Sequence, residues 1–177
     1  MNIFEILVQE ANKRGLNYLV IGGHAVITHG FARNTFDLDL IVHRIDREKW
    51  TDLWIKYGYL IKNETPTFLQ LVSIDKQFPD VDLMFVTEDT YAKMEVESKP
   101  APPWGMGSKV VSLAHLLALK CHALKHGHED RFAKDEGDVI QLFKINHLDP
   151  QENQWRELIL KHGSPELYEK ICQKIRK

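Results

Sequence analysis

A chain of 177 residues that is 44% apolar and 27% charged has the make-up of an ordinary folded protein, which excludes disordered and fibrous classes. Its length favours one domain, or one with a modest appendage, over two domains with full cores. The formal net charge of −2 lacks the large positive excess of a dedicated nucleic-acid binder, although a local basic face still allows an RNA partner. The two cysteines, Cys121 and Cys172, form no C-x-x-C pair, which fits reduced thiols in a cytoplasmic protein. No apolar run approaches the ~20 residues of a membrane span, and no basic segment followed by an apolar core marks the N-terminus.

Taken in order, Asn2 with Glu5 three residues on can cap an opening helix, whose Ile3, Leu7 and Ala11 recur at helical spacing until Gly15. Tyr18 to Ile21 is a short apolar run that fits a buried strand leading into the turn Gly22-Gly23, with a short helix over His24 to His29 behind it. Phe36, Leu38 and Leu40 alternate with Asp37, Asp39 and Ile41, the pattern of a half-buried strand with both carboxylates on one face. Asp46 is placed to cap a helix that buries Trp50, Leu53, Trp54 and Tyr57, with Gly58 as its stop.

Thr67 to Ile74 and Val81 to Val86 read as an antiparallel hairpin, in which Asp82 faces the side of Asp37 and Asp39 if its strand lies beside theirs. After a short helix near Thr90 to Glu97, the prolines, glycines and Trp104 of Lys99 to Ser108 mark a linker. Beyond it the chain reads as helical, with starts at Ser112, near Asp130, at Asp149-Pro150 with Glu152, and at Ser164-Pro165. The expected organisation is a core over 1–100 and a helical subdomain over 108–177. The fold class is α/β (α+β): a small mixed β-sheet flanked by helices, with a C-terminal helical subdomain.

Two carboxylates at i and i+2, joined by a third from a neighbouring strand, suit a pair of Mg²⁺ ions. Such hard cations take oxygen ligands, and two of them ~4 Å apart can activate a hydroxyl and stabilise leaving pyrophosphate. The alternative is that Asp37 and Asp39 are solvated residues on an exposed sheet face. Gly22-Gly23 is either a plain turn or a place where a triphosphate approaches backbone amides. The order of the parts is more specific than any one: strand, Gly-Gly, short helix, Asp-x-Asp strand, later strand with Asp.

That order resembles the nucleotidyltransferases of the DNA polymerase beta superfamily. Ile21-Gly22-Gly23, thirteen residues from His24 to Phe36, Asp37-Leu38-Asp39 and Val81-Asp82-Leu83 occupy the places of its signature, with the spacing at the long end. His29-Gly30, Arg33, Thr35 and the acid pair look more closely like the uncharacterised and toxin-type members related to the AbiEii proteins of bacterial toxin–antitoxin systems. The likeness runs from about residue 18 to 143, through Leu116 to Lys120, Arg131, Lys134-Asp135 and Asp138. It implies transfer of a nucleoside monophosphate from an NTP to a hydroxyl acceptor, which is RNA, protein or a small molecule, with two Mg²⁺ ions as cofactors. Asp37, Asp39 and Asp82 are then the catalytic and metal residues, and Gly22, Gly23, Arg33, Lys120 and Lys134 bind the nucleotide. An antitoxin is a further expected partner.

Several residues stay open on sequence. Lys120 shares a helical stripe with Leu113, Leu116, Leu117, Cys121 and Leu124, so it either contacts an anion or snorkels at the edge. Lys134, Asp135 and Asp138 either orient Lys120 or form a solvated or ion-paired face. Arg33 is a phosphate contact or a surface arginine, and His24 and His29 are packed residues or substrate contacts. His122, His126 and His128 have spacing that permits zinc, which would make the protein a metal-dependent hydrolase. A third class is a nucleotide-binding or protein-interaction module that keeps the fold without catalysis.

Overall fold

The computed structural model describes residues 3–101, 107–127 and 129–175, without the side chains of 129–131. The chain divides into two compact units, Met1–Ala25 with Arg33–Ser112 and Val26–Ala32 with Leu113–Lys177.

The first unit is built on one mixed sheet. Helix α1 (Ile3–Arg14) buries Ile3, Ile6, Leu7 and Ala11. It ends at Gly15, whose φ of +63° lets the Leu16 N–H reach back to the Ala11 carbonyl at 2.9 Å. Asn2, its expected cap, lies outside the described residues. Then follow β1 (Tyr18–Val20), α2 (Gly22–Thr28, whose residues from Val26 on are counted with the second unit), β2 (Leu38–His43), α3 (Arg47–Lys56), β3 (Tyr59–Thr65), β4 (Phe68–Ser73), β5 (Val81–Val86), α4 (Glu88–Val96), β6 (Lys99–Pro100) and β7 (Lys109–Val110). The sheet order is β3-β4-β5-β2-β1-β7-β6, in which β2·β5 and β1·β7 run parallel and the other neighbours antiparallel. Leu38, Leu40, Val42, Val81, Leu83 and Phe85 are buried on two paired strands, together with Trp50, Leu53 and Trp54 of α3.

Four sequence expectations change here. Helix α2 starts at Gly22, two residues early, and β2 starts at Leu38, so Asp37 lies just before the strand. The first ladder bond runs from the Leu38 N–H to the Asp80 carbonyl at 2.9 Å, and Phe36 is 81% exposed instead of extending the core face. Asp46 makes no capping bond to α3 and pairs with Lys49 at 2.7 Å, after a single tight turn over Arg44–Asp46. Tyr57 is exposed, because α3 closes at Lys56 and Gly58 turns the chain at φ +81°.

Strand β3 has no counterpart among the expected elements. It is an edge strand in which only Tyr59 is buried, so it carries no alternating apolar signal. The stretch expected as a linker is tied to the sheet at both ends, where Lys99 pairs with Val110 and Pro100 with Lys109; Trp104 lies outside the described residues.

The second unit carries α5 (Leu113–His126), α6 (Glu129–Ile145), α7 (Asn153–His162) and α8 (Pro165–Ile175). Ser164 caps α8 by accepting the Leu167 N–H at 3.2 Å, with Pro165 at the first helical position. Glu152 precedes α7 without a capping bond, and the Asp149 carboxylate turns the chain by accepting the Gln151 N–H at 2.9 Å. Leu116, Leu117, Val139, Leu142, Phe143, Ile159 and Ile171 form the core of this unit. Cys121 and Cys172 are free and buried, and burial pushes the Cys121 thiol up to about 12. Among the described residues no helix is long and apolar enough to cross a membrane.

Candidate active site

Placement of the acids follows from strand pairing. In the parallel ladder of β2 and β5, Asp39 is the register partner of Asp82, and register partners present their side chains on one face. Asp82 is 4% exposed, whereas Asp37 and Asp39 are half-buried. The opposite parity of both strands is apolar core, which holds the two carboxylates on a rigid support. Gln70 of β4 pairs with Asp82 from the other side and shares its face. Sequence reasoning passed over Gln70; the signal was its polar position between the buried Leu69 and Leu71.

The glycine turn is joined to the same strand. The Ile21 N–H donates to the Asp39 carbonyl at 3.0 Å, which brings Gly22 against the Asp39 side chain. A Cβ on Gly22 would lie 2.0 Å from Asp39 Oδ2, and the residue has φ +57°, so both space and backbone require glycine there. A Cβ on Gly23 would lie 2.1 Å from Thr35 Oγ1 and 3.0 Å from an Arg33 terminal nitrogen. Arg33 is held in place by donating to the Asn34 carbonyl at 2.9 Å. Strand register joins Asp39 to Asp82, and close approach joins Asp39 to Gly22 and Thr35 and Arg33 to Gly23, all within the sheet unit; Asp37 lies two residues before Asp39, just ahead of the strand.

No protein-family model matches the chain, and no curated protein is similar to it in sequence. Solved structures do match. The antibiotic-resistance factor ANT(2'')-Ia aligns with a TM-score of 0.58 at 12% identity, over 99% of this chain and 93% of that one. The lincosamide antibiotic adenylyltransferase LnuA, bound to lincomycin, aligns with a TM-score of 0.54 at 18% identity, over 81% and 95%. An antigenic nucleotidyltransferase-like protein from Paracoccidioides brasiliensis gives 0.55 at 14% identity, over 98% and 90%. The chain has a nucleotidyltransferase fold.

Within this nucleotidyltransferase fold, the three acids are hard oxygen donors of the kind magnesium takes. Among the described residues no three His, Cys, Asp or Glu side chains converge closely enough to hold a metal unaided. Magnesium is commonly held by one or two carboxylates and completed by waters and substrate phosphates, and the register partners Asp39 and Asp82 are two carboxylates on one face.

His24 follows the glycine turn and is packed: it is 7% exposed and meets Phe4 edge-on at 5.0 Å. Burial lowers its pKa to about 4, with the Arg33 charge adding to the effect and Asp37 opposing it, so the ring is neutral at pH 7. In the helical unit His29 is buried, and its carbonyl accepts from the Asn146 amide at 3.1 Å.

The buried Lys120 of α5 has carboxylate partners, Asp135 at 2.6 Å and Asp138 at 2.7 Å on α6. Asp135 and Asp138 thus form ion pairs with Lys120, an arrangement common to the orienting and the ion-paired readings of these residues. Lys134 is exposed on the same helix. His122 and His126 approach to 4.6 Å between ring centres on the exposed side of α5; His128 lies outside the described residues.

Proposed function

We propose that the protein transfers a nucleoside monophosphate from an NTP to a hydroxyl acceptor and releases pyrophosphate. The observation that carries this reading is the single constellation of Asp39 opposite Asp82 with the Asp39 carboxylate against Gly22. Asp37 and Asp39 would hold magnesium, with Asp82 completing the donor set. When bound, the two ions supply Lewis-acid activation of the attacking oxygen and charge stabilisation of the leaving pyrophosphate. Asp82, buried on β5, accepts the proton of the acceptor hydroxyl. The missing side chains of Gly22 and Gly23 let Asp39, Thr35 and Arg33 close onto the turn beside which the phosphates would lie, where Arg33 offsets their charge.

The acceptor class follows from chemistry that the fold leaves open. LnuA is a lincosamide antibiotic adenylyltransferase, and ANT(2'')-Ia has been captured with adenylyl-2''-tobramycin, so a small-molecule hydroxyl is one arm. RNA and protein hydroxyls, which suit the same fold, are the other, and the toxin-type resemblance adds an antitoxin as an expected partner.

The test is incubation with each labelled NTP, Mg²⁺ and a cell lysate, followed by separation of RNA, protein and small molecules. Label from at least one NTP should move into one of these fractions. Asp82→Ala should abolish transfer while keeping the unfolding transition of the parent. An active Asp82→Ala protein removes Asp82 from the mechanism, and no transfer from any NTP into any fraction ends the reading.

A further inference from the structure

Thr35 has no role in the chemistry above, yet its hydroxyl stands on the glycine turn. Thr35 Oγ1 lies 2.1 Å from where a Gly23 Cβ would be, and Thr35 Cβ lies 2.7 Å from that point, so the side chain presses on a bare backbone carbon. A terminal nitrogen of Arg33 approaches the same point to 3.0 Å. Arg33, Thr35 and Asp39 thus reach the two glycines together, the cation and the hydroxyl at Gly23 and the carboxylate at Gly22. Among the described residues none exchanges a hydrogen bond with the Thr35 hydroxyl, which is half-buried beside a guanidinium that is itself anchored on Asn34.

A hydroxyl beside a fixed positive charge on a side-chain-free turn is a donor for an oxyanion. We infer that Thr35 is a nucleotide-binding residue: its O–H donates to a non-bridging phosphate oxygen of the NTP at Gly23, on the side where Arg33 supplies positive charge. This rests on the nucleotidyl-transfer reading. It is consistent with glycine at 23, since a methyl there would collide with Thr35 and displace its hydroxyl.

The test is equilibrium binding of ATP, GTP, CTP and UTP, each with Mg²⁺, to the full chain and to T35S, T35V and T35A, with thermal unfolding of each. T35S, which keeps the hydroxyl, should bind within about threefold of the parent. T35V and T35A should bind about ten- to a hundredfold more weakly, the range for one hydrogen bond to a charged group, with unfolding midpoints near the parent's. T35A guards against the added methyl of valine shifting the Gly23 backbone. Parental binding by T35A overturns the inference, as does T35S binding as weakly as T35V, because the methyl and not the hydroxyl would then matter. If the parent binds none of the four nucleotides, the inference and the nucleotidyl-transfer reading fall together; if it binds and T35A is unaffected, only the inference falls.

Discussion

Gly22 is held by two independent constraints, a left-handed backbone and the Asp39 carboxylate where its Cβ would stand. Gly22→Ala should therefore cost about 1–2 kcal/mol from the backbone alone, and more if Asp39 is pushed aside. Thermal unfolding reads the first effect and NTP turnover the second; an alanine variant with parental values of both would show that the turn is not held as described. The sequence displayed this glycine and both acids, and it displayed Asp82 by strand parity. It could not display the contact between Gly22 and Asp39, because that contact depends on β1 and β2 lying antiparallel with Val20 opposite Leu40.

His24 belongs to the same scale. Its folded-state pKa is about 4 against an ordinary value of 6.5, so between those values the unfolded chain binds a proton that the folded chain refuses. Stability contributed by the neutral ring is therefore present above about pH 6.5 and is lost as pH falls towards about 4. Unfolding midpoints measured across pH 7 to 4.5 should fall more steeply for the parent than for His24→Gln. Parallel profiles would mean that the ring titrates normally.

At the scale of elements, α5 and α6 are joined by a lysine that the helical stripe made visible and by carboxylates that it did not. Lys120 sits among Leu116, Leu117, Cys121 and Leu124, with Asp138 buried beside it. Lys120→Met leaves a buried carboxylate without this cation and should cost about 3–5 kcal/mol in denaturant unfolding, whereas Lys120→Met with Asp138→Leu should recover much of that loss. No recovery in the double variant would mean that the pair is held by other contacts. Capping is similarly local: Ser164→Ala should cost about 1 kcal/mol by removing the acceptor for the Leu167 N–H. Elements with an apolar period were legible, whereas β3 was not, because it lies at the sheet edge with six of its seven residues exposed. Lys62 and the irregular register near Ile61 and Asn63 also suit an edge that resists pairing with another chain.

At the scale of the whole molecule, the proposed function predicts that a chelator abolishes nucleotide transfer and that Mg²⁺ restores it. The unfolding midpoint without nucleotide should barely move, since the acids ride on strands held by Leu38, Leu40, Val81 and Leu83. Transfer that persists in excess chelator would remove magnesium from the mechanism. The local order of glycines, acids and helical stripes was written in the residues themselves, because periodicity and turn chemistry act over a few positions. That Asp39 faces Asp82, that Gln70 joins their face, that Thr35 meets Gly23 and that Lys120 is neutralised by Asp135 and Asp138 was decided only by the fold. Each of these joins residues that no short-range rule connects, through strand register or through helix packing.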